Sequence, residues 1–347
     1  MNLEDRIIAF SELGEVLRNS VEGKENKYLE LINNLIINQE KINPWFTTGN
    51  VRMALKAIGY ELTYENLKKW TDAYPALSKN SNPITVGVVM AGNIPVVGFH
   101  DFLSVLISGN RIIAKTSSKD AELIVYLGKI LCSINQDFSD YINFTDGILA
   151  GFDVAIATGS DNSSRYFEYY FGKYPHIIRK NRNSIAIIDG NETTRELENL
   201  GLDIFSYFGL GCRNVSKVLL PEGYDLDNLI KNWQGFSGII NHSKYANNYD
   251  FNKAIWIVNK EKFHDAGFLL LKECPDLSSP VSVLFYEFYN SEENLKSLLS
   301  IFHDKIQCIS GRNYVPFGKS QFPELWDYSD NLDTIDFLLK KNLPGIL

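Results

Sequence analysis

Apolar and polar positions along the chain follow two different rhythms. Through residue 80 the spacing is helical: ENKYLELINNLIINQEK has apolar residues at Tyr28, Leu29, Leu31, Ile32, Leu35 and Ile36, among others, close to the period of an amphipathic helix. VRMALKAIGYEL and YENLKKWTDAY repeat that period, after a break at Asn43-Pro44. The pattern then shortens. ITVGVVMAG (84–92) reads as a buried β-branched strand closed by Gly92, VVGFHDFLSVLISGN (96–110) as an apolar helix stopped by Ser108-Gly109-Asn110, and RIIAKTS (111–117) as the next strand. DAELIVYLGKILCSIN (120–135) reads as a helix, DVAIATGS (153–160) as a strand, NSSRYFEYYFGK as a helix and SIAIIDG (184–190) as a fourth strand.

Four short apolar strands alternating with helices predict a parallel sheet covered on its faces, in the manner of a Rossmann-type dinucleotide domain. Beyond 191 the alternation continues. TTRELENLGLDIFSYF is a helix, VSKVLLP (215–221) a strand, DLDNLIKNW a helix and AIWIVN a strand. PVSVLFYEFY (280–289) is a further strand, ENLKSLLSIFHDK a helix, and the tail carries IDFLLKKNL. The expected organisation is an α/β protein in three parts: a helical segment with a dinucleotide domain (1–205), a smaller α/β domain (206–330) and a C-terminal segment (331–347).

Charge and composition narrow the function classes. With 34 Lys and Arg against 42 Asp and Glu the net charge is -8, which argues against nucleic acid as a partner, since neutralising phosphates needs a basic surface. An anionic small ligand needs only a local positive site. Cys132, Cys212, Cys274 and Cys308 are too sparse for a disulfide scaffold and form no C-x-x-C pair, so a reducing cytoplasm is the expected compartment. Glu4 and Asp5 stand where a signal peptide would be basic, and no apolar run approaches the length of a transmembrane helix. The five histidines form no H-x-x-x-H pattern, and neither G-x-S-x-G nor a Walker lysine loop occurs. A zinc enzyme, a serine hydrolase and a P-loop ATPase are therefore disfavoured, and no metal is expected.

Four places carry candidate chemistry. Cys212, in FGLGCRNVSKVLL, follows Gly209 and Gly211 on a loop between helix and strand, with Arg213 and Lys217 near in sequence to favour a thiolate. Spacing alone fits a tight connecting turn slightly better. Thr158-Gly159-Ser160 joins a strand to a helix N-terminus, where unpaired N–H groups and the helix dipole favour an anion; an ordinary capped helix, with Ser160 or Asp161 as cap, reads the same way. No G-x-G-x-x-G accompanies it. Asn93, in Ala91-Gly92-Asn93-Ile94-Pro95, follows a strand, where its amide could donate to a developing oxyanion or merely form a β-turn. Lys115 ends the second strand, placed for a ribose or phosphate or for solvent. The basic run Arg179-Lys180-Asn181-Arg182 reads as a solvated face.

These segments occur in an order that resembles the aldehyde dehydrogenase superfamily, and within it the LuxC-type acyl-CoA reductases (long-chain fatty acid reductases). GNIPVVGFHDFLSVLISGNRIIAKTSS is similar to the superfamily's N-F-P segment with its following helix, Gly-Asn turn and lysine strand. ATGSDNSSR is similar to T-G-S-x-x-x-G-R, with Ser164 at the usual Gly. GLGCRNVSKV resembles G-x-x-C-x-x-x-S-R-V with Lys217 near the Arg and a shorter spacing. SSPVSV (278–283) resembles the G-P-V segment, and VPFGKSQFPELWDYSDNLDTIDFL (315–338) the C-terminal stretch. The resemblance runs from about residue 43 to 338.

The resemblance implies an aldehyde-dehydrogenase-like fold with a smaller catalytic domain. It makes Cys212 the nucleophile that forms an acyl thioester and places the Asn93 amide and the Cys212 N–H at the oxyanion. Thr158, Gly159 and Ser160 would meet the cofactor diphosphate, Lys115 the adenosine ribose and Asp276 the nicotinamide ribose. Two departures set the direction. The superfamily's water-activating Glu, in E-L-G-G, has no counterpart, because HIIRKNRNSIAII holds no carboxylate; an acyl-enzyme would then pass to hydride or to a thiol rather than to water. The superfamily's K-P-x-E is here Lys115-Thr116-Ser117-Ser118, and loss of the Glu at Ser118 favours NADPH while leaving NADH open. The implied activity is NADPH-dependent reduction of a fatty acyl-CoA, or of an acyl carrier, to the aldehyde. A CoA-acylating aldehyde dehydrogenase working oxidatively and a non-catalytic nucleotide-binding partner protein are the competing readings. The segment before Asn93 is too short for the superfamily's oligomerising hairpin, which leaves a homo-oligomer or a partner enzyme open.

Overall fold

The computed structural model describes residues 1–78 and 83–341. The chain divides into two compact units, Met1–Asn181 with Pro323–Leu347, and Arg182–Phe322.

The first unit opens with four helices, α1 (Leu3–Val21), α2 (Leu29–Ile42), α3 (Thr48–Glu61) and α4 (Tyr64–Asp72). Asn2 and Asp5 cap α1 reciprocally, and Ile7, Phe10, Leu13 and Leu17 bury one face of it. The sheet follows: β1 (Thr85–Val89), α5 (Phe99–Ile107), β2 (Arg111–Lys115), α6 (Ala121–Ile134), β3 (Ile142–Thr145), β4 (Val154–Thr158), α7 (Asp161–Phe171) and β5 (His176–Arg179). All five strands are parallel, in the order β3-β2-β1-β4-β5. The order reverses between β1 and β4. In open α/β sheets that switch point leaves a crevice outside the strands' carboxyl ends, where ligands bind.

The second unit contains β6 (Asn183–Ile187), α8 (Thr194–Phe205), β7 (Val215–Pro221), α9 (Leu226–Asn232), α10 (Ser243–Val258), β8 (His264–Asp265), β9 (Leu270–Glu273), β10 (Val283–Tyr289), α11 (Glu292–Ile301) and β11 (Ile306–Ser310). Its sheet runs β11-β6-β7-β10-β9-β8, parallel except for the short β8 edge. Leu197, Leu200, Val218, Leu220, Trp233 and Leu284 lie in its main core. The chain then returns to the first unit with α12 (Thr334–Lys341).

The α/β class and the parallel sheets expected from the hydrophobic rhythm are present, with four differences. SIAII belongs to the second sheet as β6, not to the first; the first sheet is completed instead by β5, whose four residues HIIR are too few to show an apolar run. The units therefore divide at 181/182 rather than 205/206. The chain from Pro323 on, expected as the end of the catalytic domain and a separate segment, belongs to the first unit: the Trp70 indole donates to the Tyr328 hydroxyl (2.8 Å) and Tyr74 to Asp333 (2.6 Å). Residues 342–347 of that segment lie outside the described residues. Finally, AIWIVN is the end of α10, not a strand. Tyr245, Tyr249, Asn252 and Trp256 are the residues α10 buries, a helical face that begins before the β-branched run, while Ile257 and Val258 are exposed.

Arg179 corrects the reading of the basic run. It is buried and donates to both carboxylate oxygens of Asp101 on α5 (2.6 and 2.5 Å) and to Thr334 at the head of α12 (2.8 Å). A guanidinium that loses water needs this bidentate partner.

Candidate active site

In the second unit, α8 ends at Phe205 and the chain makes a tight reversal before β7. Tyr207 (φ 51°), Phe208 (φ 59°) and Gly209 (φ 77°) are consecutive left-handed residues. Two of them carry side chains, a conformation that persists only when surroundings fix it. Gly211 to Asn214 then form a β-turn closed by Asn214 N–H to Gly211 O (3.0 Å), with Cys212 at its first corner. The Asn214 side chain is what fixes the reversal. Buried, it donates to the carbonyls of Asp203 (3.0 Å), Ile204 (3.4 Å) and Ser206 (2.8 Å) and accepts from Gly211 N–H (2.8 Å). Ser184, at the head of β6, donates to the Cys212 carbonyl (2.9 Å), and the Cys308 N–H donates to the same hydroxyl (3.2 Å). Cys212 is partly exposed and is not in a disulfide. The turn thus presents a thiol on a backbone held from several directions.

Lys217 does not serve that sulfur. Wholly buried in β7, its ammonium donates to the carbonyls of Cys274 and Pro275 (2.9 Å each) and pairs with Glu287, which accounts for its three donors. Ser216 donates to Leu277 O (2.7 Å). Successive residues of β7 therefore tie down the loop that carries the exposed Asp276.

In the first unit, Asn93, Lys115 and Thr158-Gly159-Ser160 follow or end β1, β2 and β4, so the sheet brings them to one edge. Asn93 is exposed on a turn that precedes α5. Lys115 directs its ammonium at the carbonyls of Asp146 (2.8 Å) and Gly147; Ser118, just beyond, is exposed. Ser160 is the N-cap of α7 and accepts from Ser163 N–H (3.3 Å), as the capping reading expected. Gly159 admits no side chain: a Cβ there would lie 2.8 Å from the Phe167 ring and 2.9 Å from Ser163 Cβ. A helix N-terminus at the switch point of a parallel sheet, with exposed polar residues and a lysine on neighbouring strand ends, fits the phosphates and ribose of a dinucleotide.

Two residues that order these turns escaped the sequence reading. Asn214 sits among candidates as an ordinary strand-entry Asn. Asp120 reads as the first residue of a helix, yet its carboxylate is spent on Val96 N–H (2.6 Å). Neither has a sequence signal, because their partners are backbone groups of separate segments.

The sequence profile of the Acyl-CoA reductase (LuxC) family matches residues 38–228. No curated protein sequence gives a significant match. Among solved structures, an aldehyde dehydrogenase from Mycobacterium tuberculosis complexed with NAD+ superposes with a TM-score of 0.63 at 13% identity, over 89% of this chain and 73% of that one. Aldehyde dehydrogenase 21 from Physcomitrella patens, in complex with succinate, gives 0.64 at 12% identity over 100% and 88%. An NAD+ complex of an aldehyde dehydrogenase from Bacillus cereus gives 0.60 at 12% over 89% and 72%. The fold is that of the aldehyde dehydrogenases. Since the profile spans more than half the sequence, from α2 to α9 and through the Cys212 turn, the chain belongs to the LuxC family of acyl-CoA reductases.

Proposed function

We propose that this chain reduces a long-chain fatty acyl-CoA to the fatty aldehyde with NADPH, by way of an acyl thioester on Cys212. The observation that supports it most is the Cys212 turn. A cysteine needed only for packing has no use for three left-handed residues and a buried Asn that holds four backbone groups.

In this reading the Cys212 thiolate adds to the acyl carbonyl, the carbon–sulfur bond to CoA breaks, and CoA leaves as a thiol after taking a proton. The Asn93 amide and the Cys212 N–H stabilise the oxyanion. Thr158, Gly159 and Ser160 receive the cofactor diphosphate at the opening of α7, Lys115 the adenosine ribose and Asp276 the nicotinamide ribose, while the small Ser118 leaves room for a 2′-phosphate. NADPH, when bound, supplies the hydride that turns the thioester carbonyl into the aldehyde. Cys212 then departs as thiolate. No carboxylate in residues 176–188 activates water, so the thioester survives until it is reduced.

Incubation with acyl-labelled acyl-CoA in the absence of NADPH tests the reading. Label should attach through a hydroxylamine-sensitive bond, and Cys212→Ala should lose both the label and acyl-CoA-dependent NADPH oxidation. Label retained in Cys212→Ala overturns the assignment. A panel of acyl lengths with NADPH and NADH then reads chain and cofactor preference; equal turnover on both cofactors removes the role given to Ser118.

A further inference from the structure

We infer that Asp120 is a positioning residue that sets the turn carrying Asn93; the inference rests on the oxyanion role proposed for Asn93. Asp120 immediately precedes α6, the position where an aspartate ordinarily caps the helix, yet its side chain accepts no α6 N–H. It turns instead to the segment after β1. Its Oδ2 accepts from Val96 N–H at 2.6 Å, and Asp120 is only 4% exposed.

Val96 needs such a restraint. It has φ 52°, a region that β-branched residues avoid because Cβ crowds the backbone. The turn is gripped a second time from the same side. A Cβ on Gly92 would fall 2.3 Å from Ser117 Oγ, so Gly92 packs directly on Ser117. Between these two contacts stands Asn93, exposed and carried on the backbone they fix.

The arrangement is expensive for stability. Asp120 Oδ1 is buried with no hydrogen-bond partner, and desolvation pushes the carboxyl well above the usual aspartate range. A segment that needed only a helix start would have spent the side chain on α6. The chain instead retains a buried carboxylate whose one hydrogen bond holds a strained residue three places from Asn93.

A double-mutant cycle on the full-length protein tests this, read as kcat for acyl-CoA-dependent NADPH oxidation. Asn93→Ala should lower kcat roughly 100-fold. Asp120→Ala should lower kcat about 10-fold or more with the KM for NADPH changed less than about 3-fold. In the Asn93→Ala background, adding Asp120→Ala should cost less than about 2-fold, because the group it positions is already gone. Asp120→Asn, which can still accept from Val96 N–H, should return kcat to within about 3-fold of wild type. Should Asp120→Ala not fold, Val96→Gly loosens the same turn with Asp120 intact and should show the same non-additivity with Asn93→Ala. A penalty as large in the Asn93→Ala background as in wild type overturns the inference, as does an Asp120→Asn enzyme as slow as Asp120→Ala. Wild-type kcat in Asn93→Ala overturns it by a separate route, because the oxyanion role itself then fails.

Discussion

The two units solve the same local problem with opposite chemistry. In each, a turn with a left-handed, side-chain-bearing residue presents one candidate catalytic group, and in each a buried polar side chain ties the turn down by hydrogen bonds. In the second unit that side chain is Asn214. It is neutral, and both ends of its amide are used: three carbonyls accept from Nδ2 and Gly211 N–H donates to Oδ1. In the first unit it is Asp120, which accepts one N–H and leaves Oδ1 buried without a partner. Buried polar groups stabilise when satisfied and cost free energy when not. The Cys212 turn is therefore a source of stability, whereas the Asn93 turn is ordered at a cost.

Isosteric exchanges in opposite directions sharpen that contrast, and the largest effect is expected at Asn214. Asn214→Asp puts a carboxylate against the carbonyls of Asp203, Ile204 and Ser206 and removes the donor they share. It should destabilise the fold by about 3–5 kcal/mol, the scale for an uncompensated buried charge, seen as a lower denaturation midpoint at unchanged m. Acylation at Cys212 should fall with it, since about 1 Å of misplacement costs roughly 100-fold. A variant of wild-type stability would show that the amide network does not hold the turn.

A smaller effect is expected at Ser184, whose hydroxyl reaches the Cys212 turn at the carbonyl of Cys212. Ser184→Ala leaves that carbonyl and the Cys308 N–H without their hydroxyl and should cost about 1–2 kcal/mol, with kcat reduced several-fold. If Ser184→Ala proved as damaging as Asn214→Asp, the turn would be held chiefly from β6 and the contrast drawn between Asn214 and Asp120 would lose its basis.

How much of this could be read from the sequence follows from the range of each interaction. The Ser160 cap was legible because its acceptor and donor lie three residues apart, and strand, Gly and helix start form one local pattern. The strands β1, β2, β4 and β7 were legible because each is a short apolar run of its own. Arg179 was misread as solvated because its partners, Asp101 and Thr334, are 78 and 155 residues away, and a basic run looks the same whether or not its members are buried. Lys217 was misassigned for a related reason: closeness to Cys212 in sequence says nothing about which face of β7 bears its ammonium or about the Glu287 that meets it. Asp120 was misleading in a third way, because a residue in cap position implies a cap, and only the fold shows its carboxylate turned to another segment.

The smallest expected effect, and the one with an unusual sign, is on the stability of Asp120→Asn. The replacement keeps an acceptor for Val96 N–H and removes a carboxyl whose ionisation burial opposes, so it should be more stable than wild type at neutral pH. The pH dependence fixes the cause. Desolvation raises the Asp120 carboxyl in the folded protein, with the Val96 hydrogen bond opposing it only in part, whereas the unfolded chain titrates near the ordinary aspartate value of about 3.9. Between those two values the folded state binds more protons than the unfolded one, so the stability of the wild type declines as pH rises through that interval. Below the ordinary aspartate value both states are protonated and the advantage of Asn should vanish; above the folded value it should be constant and at its largest. Each kcal/mol gained would lift Tm by about 2–4 °C in a unit of this size. A gain of the same size at pH 3 and pH 8 would assign the effect to packing rather than charge, and a loss of stability at pH 8 would mean that the Asp120 carboxyl is compensated, as the Asn214 amide is, and that the two turns are alike.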